Sequence, residues 1–480
     1  MTNTYTLLAP LFVLSAFAFL LLGVDAMVKQ PSAASRRLSF WLTIVGLIAA
    51  AVTLGSPAGG SVLFARQMLV WDGLSYVFSW VTLLTVLFVT LLSNSFSDFD
   101  GLRMSTYYAL LLLAAAGLIF LVSSNDFLMI FLGIELFGVP SFILAGYLRH
   151  QERSSEAAIK LFLIGAFSSA MLVYGIAILY GVTGSTSLSQ LQDHSASLQV
   201  MAPLGLLAIF FVIVSFGFKI ALVPFHMWVP DVFEGAPKPV AALLSVAPKV
   251  AGAAIALRVF NLILPTSGLG FITVLAVLAG ITMTVGNIIG LQQTNIVRLL
   301  AYSSIAHMGY LLLGLVGGGD LGVTGAYMYG WVYLFMNMGA FAVVISLSKT
   351  LGSDELPAYA GLAKRSPLMA ALLTLFLISL AGIPPTAGFI AKFYVFLAAY
   401  QAGWKWLVVL GAFNSVISAG YYFKIIHQMY FRAPAETQPL NLALSERLTL
   451  AATSFFTLFL GLAPQIFVVT AQAFSVAPKP

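Results

Sequence analysis

The stretch SFGFKIALVPFHMWVP, residues 215–230, places a lysine, a histidine and two prolines inside a largely apolar run. A charged side chain at the centre of a bilayer costs roughly 2.5–3.5 kcal/mol, and proline removes an amide donor and clashes with the preceding helical turn. Unwound backbone is tolerated at that depth only where it is buried in protein or lines a wet cavity. The stretch therefore predicts a membrane helix that is broken beside a buried amine, Lys219.

The composition of the whole chain excludes a soluble protein. Of 480 residues, 60% are hydrophobic and 8% are charged, namely 22 Lys and Arg and 16 Asp and Glu. Soluble domains carry about 25% charged residues. The chain has no cysteine, which excludes disulfides, zinc–thiolate sites and cysteine-ligated iron–sulfur clusters within it. The net charge of +6 comes from scattered basic residues and does not indicate nucleic-acid binding.

Apolar segments of membrane-spanning length recur along the chain. A helix needs about 20 apolar residues to cross the hydrocarbon, and on that basis the sequence predicts an all-α polytopic membrane protein of about fourteen transmembrane helices. The spans at 201–227 and 367–402 are long and contain proline. The predicted spans are 5–27, 38–56, 73–94, 105–123, 126–148, 157–181, 201–227, 239–260, 267–290, 296–317, 322–347, 367–402, 404–428 and 448–471.

The distribution of Lys and Arg predicts that the N-terminus lies outside, because positive charge concentrates in cytoplasmic loops. The outer side then holds only Arg66, Arg258, Lys405 and Lys479. The inner side holds Lys29, Arg36, Arg37, Arg103, Arg149, Arg153, Lys160, Lys238, Arg298, Lys349, Lys364, Arg365, Lys424, Arg432 and Arg447. The segments between spans are too short for a catalytic domain, so the function is expected inside the membrane or through partners.

Four charged residues are predicted to lie inside spans: Glu135, Lys219, Lys249 and Lys392. A buried ion pair that fixes helix packing is one explanation, but three lysines and one glutamate leave two amines without a carboxylate. A proton or ion path fits better, because a buried amine gains or loses its proton when the charge beside it changes. Glu135 and Lys219 are the expected partners, followed by Lys249 as a relay and Lys392 as a later or terminal one.

A second predicted break, GIPPTAG at 382–388, lies just before Lys392. Interrupted helices at corresponding positions of two halves point to inverted repeats. We therefore expect helices 1–3 in residues 1–104 and a fourteenth helix in 429–480. Between them, two inverted five-helix repeats at 105–260 and 261–428 would each contain a broken fourth helix.

Three weaker candidates are His226, His307 and Lys160. Imidazole transfers protons near neutral pH, so each histidine is either a relay or a hydrogen-bonding group that only packs helices. Two histidines on separate helices can ligate a haem, but neither their spacing nor a companion pair supports this. Lys160 either extends its amine to the inner interface or feeds protons inward. Carboxylates near span ends are expected to be solvated: Asp25, Asp126, Asp231 and Glu234.

Five segments together resemble the antiporter-like membrane subunits of respiratory complex I, across nearly the whole chain. Lys392 stands where M-type subunits carry glutamate, and the chain stops shortly after its last span, without the lateral helix of L-type subunits. The N-type subunits are therefore the most similar. The segments are GIELFGVPSFILAGY (133–147), SSEAAIKLFLIGAFSSA (154–170), GFKIALVPFHMWVPDVFEGAP (217–237), VRLLAYSSIAHMGYLL (297–312) and AGIPPTAGFIAKFYVF (381–396).

The resemblance implies a role for each candidate residue. Proton transfer would involve one charged residue on each of helices 5, 7, 8 and 12, namely Glu135, Lys219, Lys249 and Lys392. His226 and His307 would line a hydrated axis, and Lys160 of helix 6 would be a further candidate. No cofactor or metal is expected in this chain, since NADH, FMN, iron–sulfur clusters and quinone would belong to partner subunits. The expected partners are the other membrane subunits, including further antiporter-like ones, in a bacterial inner membrane.

The leading hypothesis is a proton-translocating subunit of NADH:quinone oxidoreductase, which couples quinone reduction elsewhere in the complex to proton transfer through these residues. One alternative is an Mrp-type sodium/proton antiporter subunit, which would exchange ions in vesicles without NADH. Another is a non-pumping membrane scaffold, in which alanine at Lys219 would leave pumping intact.

Overall fold

The structure is a computed structural model and describes residues 4–28, 30–57, 61–193, 201–267, 270–433 and 442–475. Lys29 and Lys479, which contribute to the charge bias, lie outside these ranges.

The N-terminal part contains three long helices and a small hairpin. The helices are α1 (Thr4–Met27), α2 (Ala33–Thr53) and α3 (Gly73–Ser95). The hairpin lies between α2 and α3, where β1 (Val62–Phe64) pairs antiparallel with β2 (Leu69–Trp71). A short 3₁₀ turn (Ser97–Phe99) follows α3.

Two helical units follow. The first contains α4 (Met104–Val122), α5 (Phe127–Ala145), α6 (Glu152–Thr183), α7 (Leu188–Asp193), α8 (Ala202–Lys219), α9 (Trp228–Gly235) and α10 (Lys238–Ser267). The second contains α11 (Phe271–Gln292), α12 (Ile296–Gly317), α13 (Gly319–Leu351), a 3₁₀ turn (Leu356–Tyr359), α14 (Leu362–Arg365), α15 (Pro367–Ala381), α16 (Ala387–Gln401) and α17 (Lys405–Phe431). The chain continues through α18 (Leu444–Leu462) and α19 (Pro464–Ser475).

Eleven helices among the described residues are long and apolar enough to cross a membrane. This confirms the all-α multi-pass fold. The three other predicted spans are divided: 201–227 and 367–402 at the expected breaks, and 448–471 at Ala463. The prediction of one continuous helix over 448–471 was wrong, because Pro464 cannot continue α18 but can begin α19. The count of fourteen crossings, the outer N-terminus and the exact limits of the repeats stay predictions.

Both breaks interrupt the fourth helix of a predicted five-helix unit. In the first, α8 ends at Lys219 and the chain passes through Ala221, whose φ of 60° is unusual for a residue with a side chain, before α9 begins. In the second, α15 ends at Ala381 and Gly382 follows with φ 83°, the left-handed cap conformation that glycine adopts freely. Each break leaves backbone carbonyls without a helical partner inside the molecule.

The centre of the molecule is formed by α10, α12 and α13. The most apolar windows of these helices are 100%, 94% and 94% buried, whereas that of α6 is 33% buried. Lys249 and His307 lie on two of the central helices. Both side chains are therefore enclosed by protein.

Two charges near helix ends are buried instead of solvated. Asp126 is 2% exposed and caps α5 by accepting a hydrogen bond from the Leu128 amide. Arg258 of α10, assigned to the outer side from the sequence, is also buried and donates hydrogen bonds of 2.9 and 3.0 Å to both carboxylate oxygens of Asp72 at the start of α3. The expectation of a solvated carboxylate was wrong for Asp126, because its side chain is used as a helix cap.

Candidate functional site

Lys219 is the last residue of α8, so its amine lies where the first broken helix unwinds. The side chain is buried, and Glu135 of α5 is close enough to act on it electrostatically. Among the described residues, no ion pair within 4.0 Å joins the two. Glu135 instead accepts a hydrogen bond from Ser169 of α6. The pair therefore interacts across a gap, and a small movement of α5 or α8 would change that interaction.

Lys249 lies on the helix that passes Lys219. A Cβ added to Gly252 of α10, one turn beyond Lys249, would be 3.6 Å from the Cβ of Lys219. Lys249 itself is fully buried and donates a hydrogen bond to the Ser304 hydroxyl of α12. Its Nζ atom is 5.1 Å from the centre of the Phe233 ring of α9. The amine is thus held between the first and second helical units.

His307 occupies the interior between two of the lysines. It lies one turn after Ser304 on α12, is 1% exposed, and is acted on electrostatically by both Lys392 and Lys249. Its Nδ1 shares a 2.6 Å hydrogen bond with the Tyr329 hydroxyl of α13, in which the donor depends on the tautomer. Its Nε2 is 3.4 Å from the Tyr422 hydroxyl of α17. The ring is therefore connected to hydroxyls on both sides.

Lys392 is held by groups that the second break exposes. It lies on α16, and its amine donates hydrogen bonds of 3.0 Å to the Ala381 carbonyl at the end of α15 and 3.3 Å to the Ser415 hydroxyl of α17. The amine also lies 4.4 Å from the centre of the Tyr310 ring. Because α15 ends at Ala381, that carbonyl has no helical partner and is free to accept from the lysine.

His226 lies in the segment between α8 and α9. It is 8% exposed, and Lys249 acts on it electrostatically. Within the described part of the chain, its Nδ1 atom is buried without a hydrogen-bond partner. This places His226 near Lys249, with one ring nitrogen free of a hydrogen bond among the described residues.

Lys160 belongs to a different environment. Its side chain is 37% exposed and forms ion pairs of 2.7 Å with Glu156 and 2.6 Å with Asp231. Neither of these carboxylates contacts Lys219, Lys249 or Lys392 through an ion pair among the described residues. Asp231 and Glu234 also pair with Arg298, at 3.0 and 2.7 Å. The expectation that these two carboxylates are simply solvated was therefore wrong, because basic residues of α6 and α12 compensate their charges.

The hydroxyl groups that contact the buried bases are the part of the site that the sequence did not predict. Ser304 accepts from Lys249, and Tyr329 and Tyr422 contact His307. Ser415 accepts from Lys392, which also lies over the Tyr310 ring. A usable signal was present, since a Ser or Tyr on the interior face of a membrane helix needs a hydrogen-bond partner. Amines, imidazoles and hydroxyls are all groups that can accept and donate protons. No described group of three or more His, Cys, Asp or Glu is placed to hold a metal ion.

The family pattern described as "NADH:quinone oxidoreductase/Mrp antiporter, TM" matches residues 124–418. This chain belongs to that family. The matched range includes Glu135, Lys219, Lys249 and Lys392. The part of the chain that matches the family therefore contains all four of these charged residues.

The relatives of this antiporter-family chain extend the match to nearly its full length. NADH-quinone oxidoreductase subunit N of Trichlorobacter lovleyi is 38% identical over 478 residues, covering 98% of this chain and 97% of the relative. A chain in the structure of respiratory complex I from Thermus thermophilus with bound aureothin is 32% identical, with a TM-score of 0.81 over 96% of this chain and 98% of that one. A chain of the Mrp complex from Dietzia sp. DQ12-45-1b shares the fold, at 22% identity and a TM-score of 0.85 over 99% and 97%.

Proposed function

We propose that this chain is the N-type proton-translocating membrane subunit of an NADH:quinone oxidoreductase. The observation that carries the proposal is the buried set of Lys249, His307 and Lys392, each of which contacts a hydroxyl group, inside a chain that is 38% identical over nearly its whole length to a subunit N. Intramembrane charges cost free energy and are retained where they conduct ions or protons.

Proton transfer would begin at the Glu135–Lys219 pair. Energy from quinone reduction in partner subunits would move the Glu135 carboxylate relative to the Lys219 amine. When the negative charge is farther away, the ammonium loses its compensation and releases its proton. Lys249 is the next acceptor, because its helix passes directly beside Lys219.

The second unit would carry the proton onward. Ser304 accepts from Lys249, and His307 lies one turn later on the same helix with hydroxyl contacts to Tyr329 and Tyr422. Imidazole and hydroxyl groups both accept and donate, so they can pass protons through a hydrogen-bonded series. Lys392 is the terminal amine before the outer side, and His226 supplies a further proton acceptor next to Lys249.

The proposed setting is a multi-subunit complex in a bacterial inner membrane. The similar chains of known structure belong to respiratory complex I and to an Mrp complex, both of which contain several subunits. We place further antiporter-like subunits beside this chain, and NADH, FMN, iron–sulfur clusters and quinone in other subunits. Lys160 would serve the path only from its inner end, since its ion pairs lie apart from the buried lysines.

The test uses Glu135→Ala and Lys219→Ala in the assembled complex, reconstituted in vesicles. Both variants are expected to lower NADH-driven proton uptake while native gels show an intact complex. Lys405→Ala is the matched control, because Lys405 is an exposed lysine outside the buried series. Normal uptake in both Glu135→Ala and Lys219→Ala would support the scaffold alternative. Ion exchange by the isolated subunit without NADH would support the Mrp-type alternative.

A further inference from the structure

Six charged side chains form an unbroken series of ion pairs at the end of the molecule predicted to face inward. Each acid is followed by a base, and the five links measure 2.7, 2.6, 3.0, 2.7 and 3.3 Å. The series runs Glu156, Lys160, Asp231, Arg298, Glu234, Arg153. It ties α6, α9 and the first turn of α12 together, so it joins the first helical unit to the second.

The same six residues line a cavity of about 260 Å³, together with Ala157 and Gly235. Three acids and three bases leave the cavity without net charge, and every one of the six is ion-paired. A cavity with compensated walls has no charge with which to hold an ion. Its polar lining instead suits water that enters from the membrane surface.

Helix α9 separates this cavity from the buried lysines. One face carries Asp231 and Glu234, which point to the cavity. The opposite face is buried, and its Phe233 ring lies 5.1 Å from Nζ of Lys249. A single short helix therefore lies between the inner cavity and an amine of the proposed proton path.

The contact between α9 and α6 is closed by the backbone itself. A Cβ on Gly235 would be 2.4 Å from the Arg153 carbonyl oxygen and 3.0 Å from the Ala157 Cβ, so no larger residue fits without separating the helices. Because α9 directly follows the broken segment with His226, it has no continuous helix on its N-terminal side to hold it in place. The buried face of α9 packs on the core through Trp228 and Phe233, whereas the ion-pair series and the Gly235 contact join its other side to α6.

We propose that α9 is a gate between the inner cavity and Lys249, kept closed by the ion-pair series, with Asp231 and Arg298 as its positioning residues. This inference rests on the proposed proton-translocating function. In the closed state α9 prevents a proton on Lys249 from returning to the inner side. When Asp231 separates from Lys160 and Arg298, α9 moves off α6 and water reaches the amine.

The experiment measures the decay of the proton gradient after NADH is exhausted, in vesicles that contain the assembled complex. Asp231→Asn is expected to speed the decay about two- to fivefold, the factor by which a half-exposed ion pair shifts an equilibrium. The matched control is Asp354→Asn, which removes a 3.2 Å ion pair with Lys238 outside the cavity. Gly235→Ala should speed the decay as well, since it forces α9 away from α6 without changing any charge.

A second variant shows whether the leak passes through the gate. Adding Lys249→Met to Asp231→Asn should return the decay to the wild-type rate, whereas a leak through a generally loosened structure would persist. If Asp231→Asn does not assemble, Arg298→Lys keeps the positive charge and is expected to assemble and leak. The gate is overturned if the assembled variant decays no faster than Asp354→Asn, or if Lys249→Met leaves its leak unchanged. A complex that pumps normally with Lys219→Ala would instead overturn the proposed function.

Discussion

The amine of Lys392 illustrates how a helix break satisfies a buried charge. The end of α15 frees the Ala381 carbonyl, which accepts a 3.0 Å hydrogen bond from this lysine. Gly382, the next residue, has φ 83°, and a Cβ there would be 2.8 Å from the Lys392 Cδ. The glycine therefore permits both the sharp end of the helix and the approach of the lysine.

Gly382→Ala should consequently lower proton uptake more than a glycine-to-alanine change that causes backbone strain alone. A left-handed conformation costs a residue with a side chain roughly 1–2 kcal/mol, and the added methyl group would also displace Lys392. Gly403→Ala is the control, because Gly403 has φ 87° and no atom within 4 Å of the added Cβ. Thermal inactivation and NADH-driven uptake are measured for both variants. Equal uptake in the two would show that crowding of Lys392 has no effect.

Ser304 is the residue that connects Lys249 to the second helical unit. Ser304→Ala removes the acceptor of the lysine and should slow NADH-driven proton uptake about tenfold, since a positioned proton carrier contributes that much or more. Ser304→Thr keeps the hydroxyl and should restore uptake. Ser79→Ala serves as the control, because Ser79 is equally buried but donates only within its own helix. Wild-type uptake by Ser304→Ala would remove the serine from the proposed path.

At the scale of helices, the buried Arg258–Asp72 pair joins α10 to α3. Arg258→Met would leave the Asp72 carboxylate, which is 15% exposed, without its arginine partner, a loss of up to about 3–5 kcal/mol when a charge is fully buried. The variant complex should therefore inactivate at a lower temperature. Arg103→Met provides the comparison, because its pair with Asp25 involves an arginine that is 49% exposed and should contribute about 1 kcal/mol or less. Similar inactivation temperatures would show that the buried pair does not stabilise the fold.

The sequence predicts helices better than it predicts contacts between them. The proline-containing runs at 201–227 and 367–402 identified both breaks, because proline acts on its own helix. The ion pairs of Asp231 depend on residues from α6 and α12 that are about 70 positions away, at 160 and 298. No local pattern contains that information. The same holds for Tyr329 and Tyr422, whose hydroxyls reach His307 from two other helices.

At the scale of the whole molecule, the sequence singles out four charges because hydrocarbon would penalise each of them separately. Lys249 lies on a central helix, Lys219 and Lys392 lie next to the two helix breaks, and Glu135 lies on α5. The order in which these residues would pass a proton depends on how the helices pack, which the sequence does not contain. The direction of transport depends further on which end of the molecule faces the cytoplasm.

The orientation of the chain in the membrane can be tested by chemical labelling. The absence of cysteine permits single-cysteine labelling with a membrane-impermeant maleimide, without removal of native thiols. Gln67→Cys, beside Arg66 on the predicted outer side, should react in intact cells, and Asp98→Cys should react only after permeabilisation, because both positions are exposed and lie at opposite ends of α3. The opposite pattern would show that the cavity beside α9 opens outward. The proposed gate would then control proton release instead of uptake.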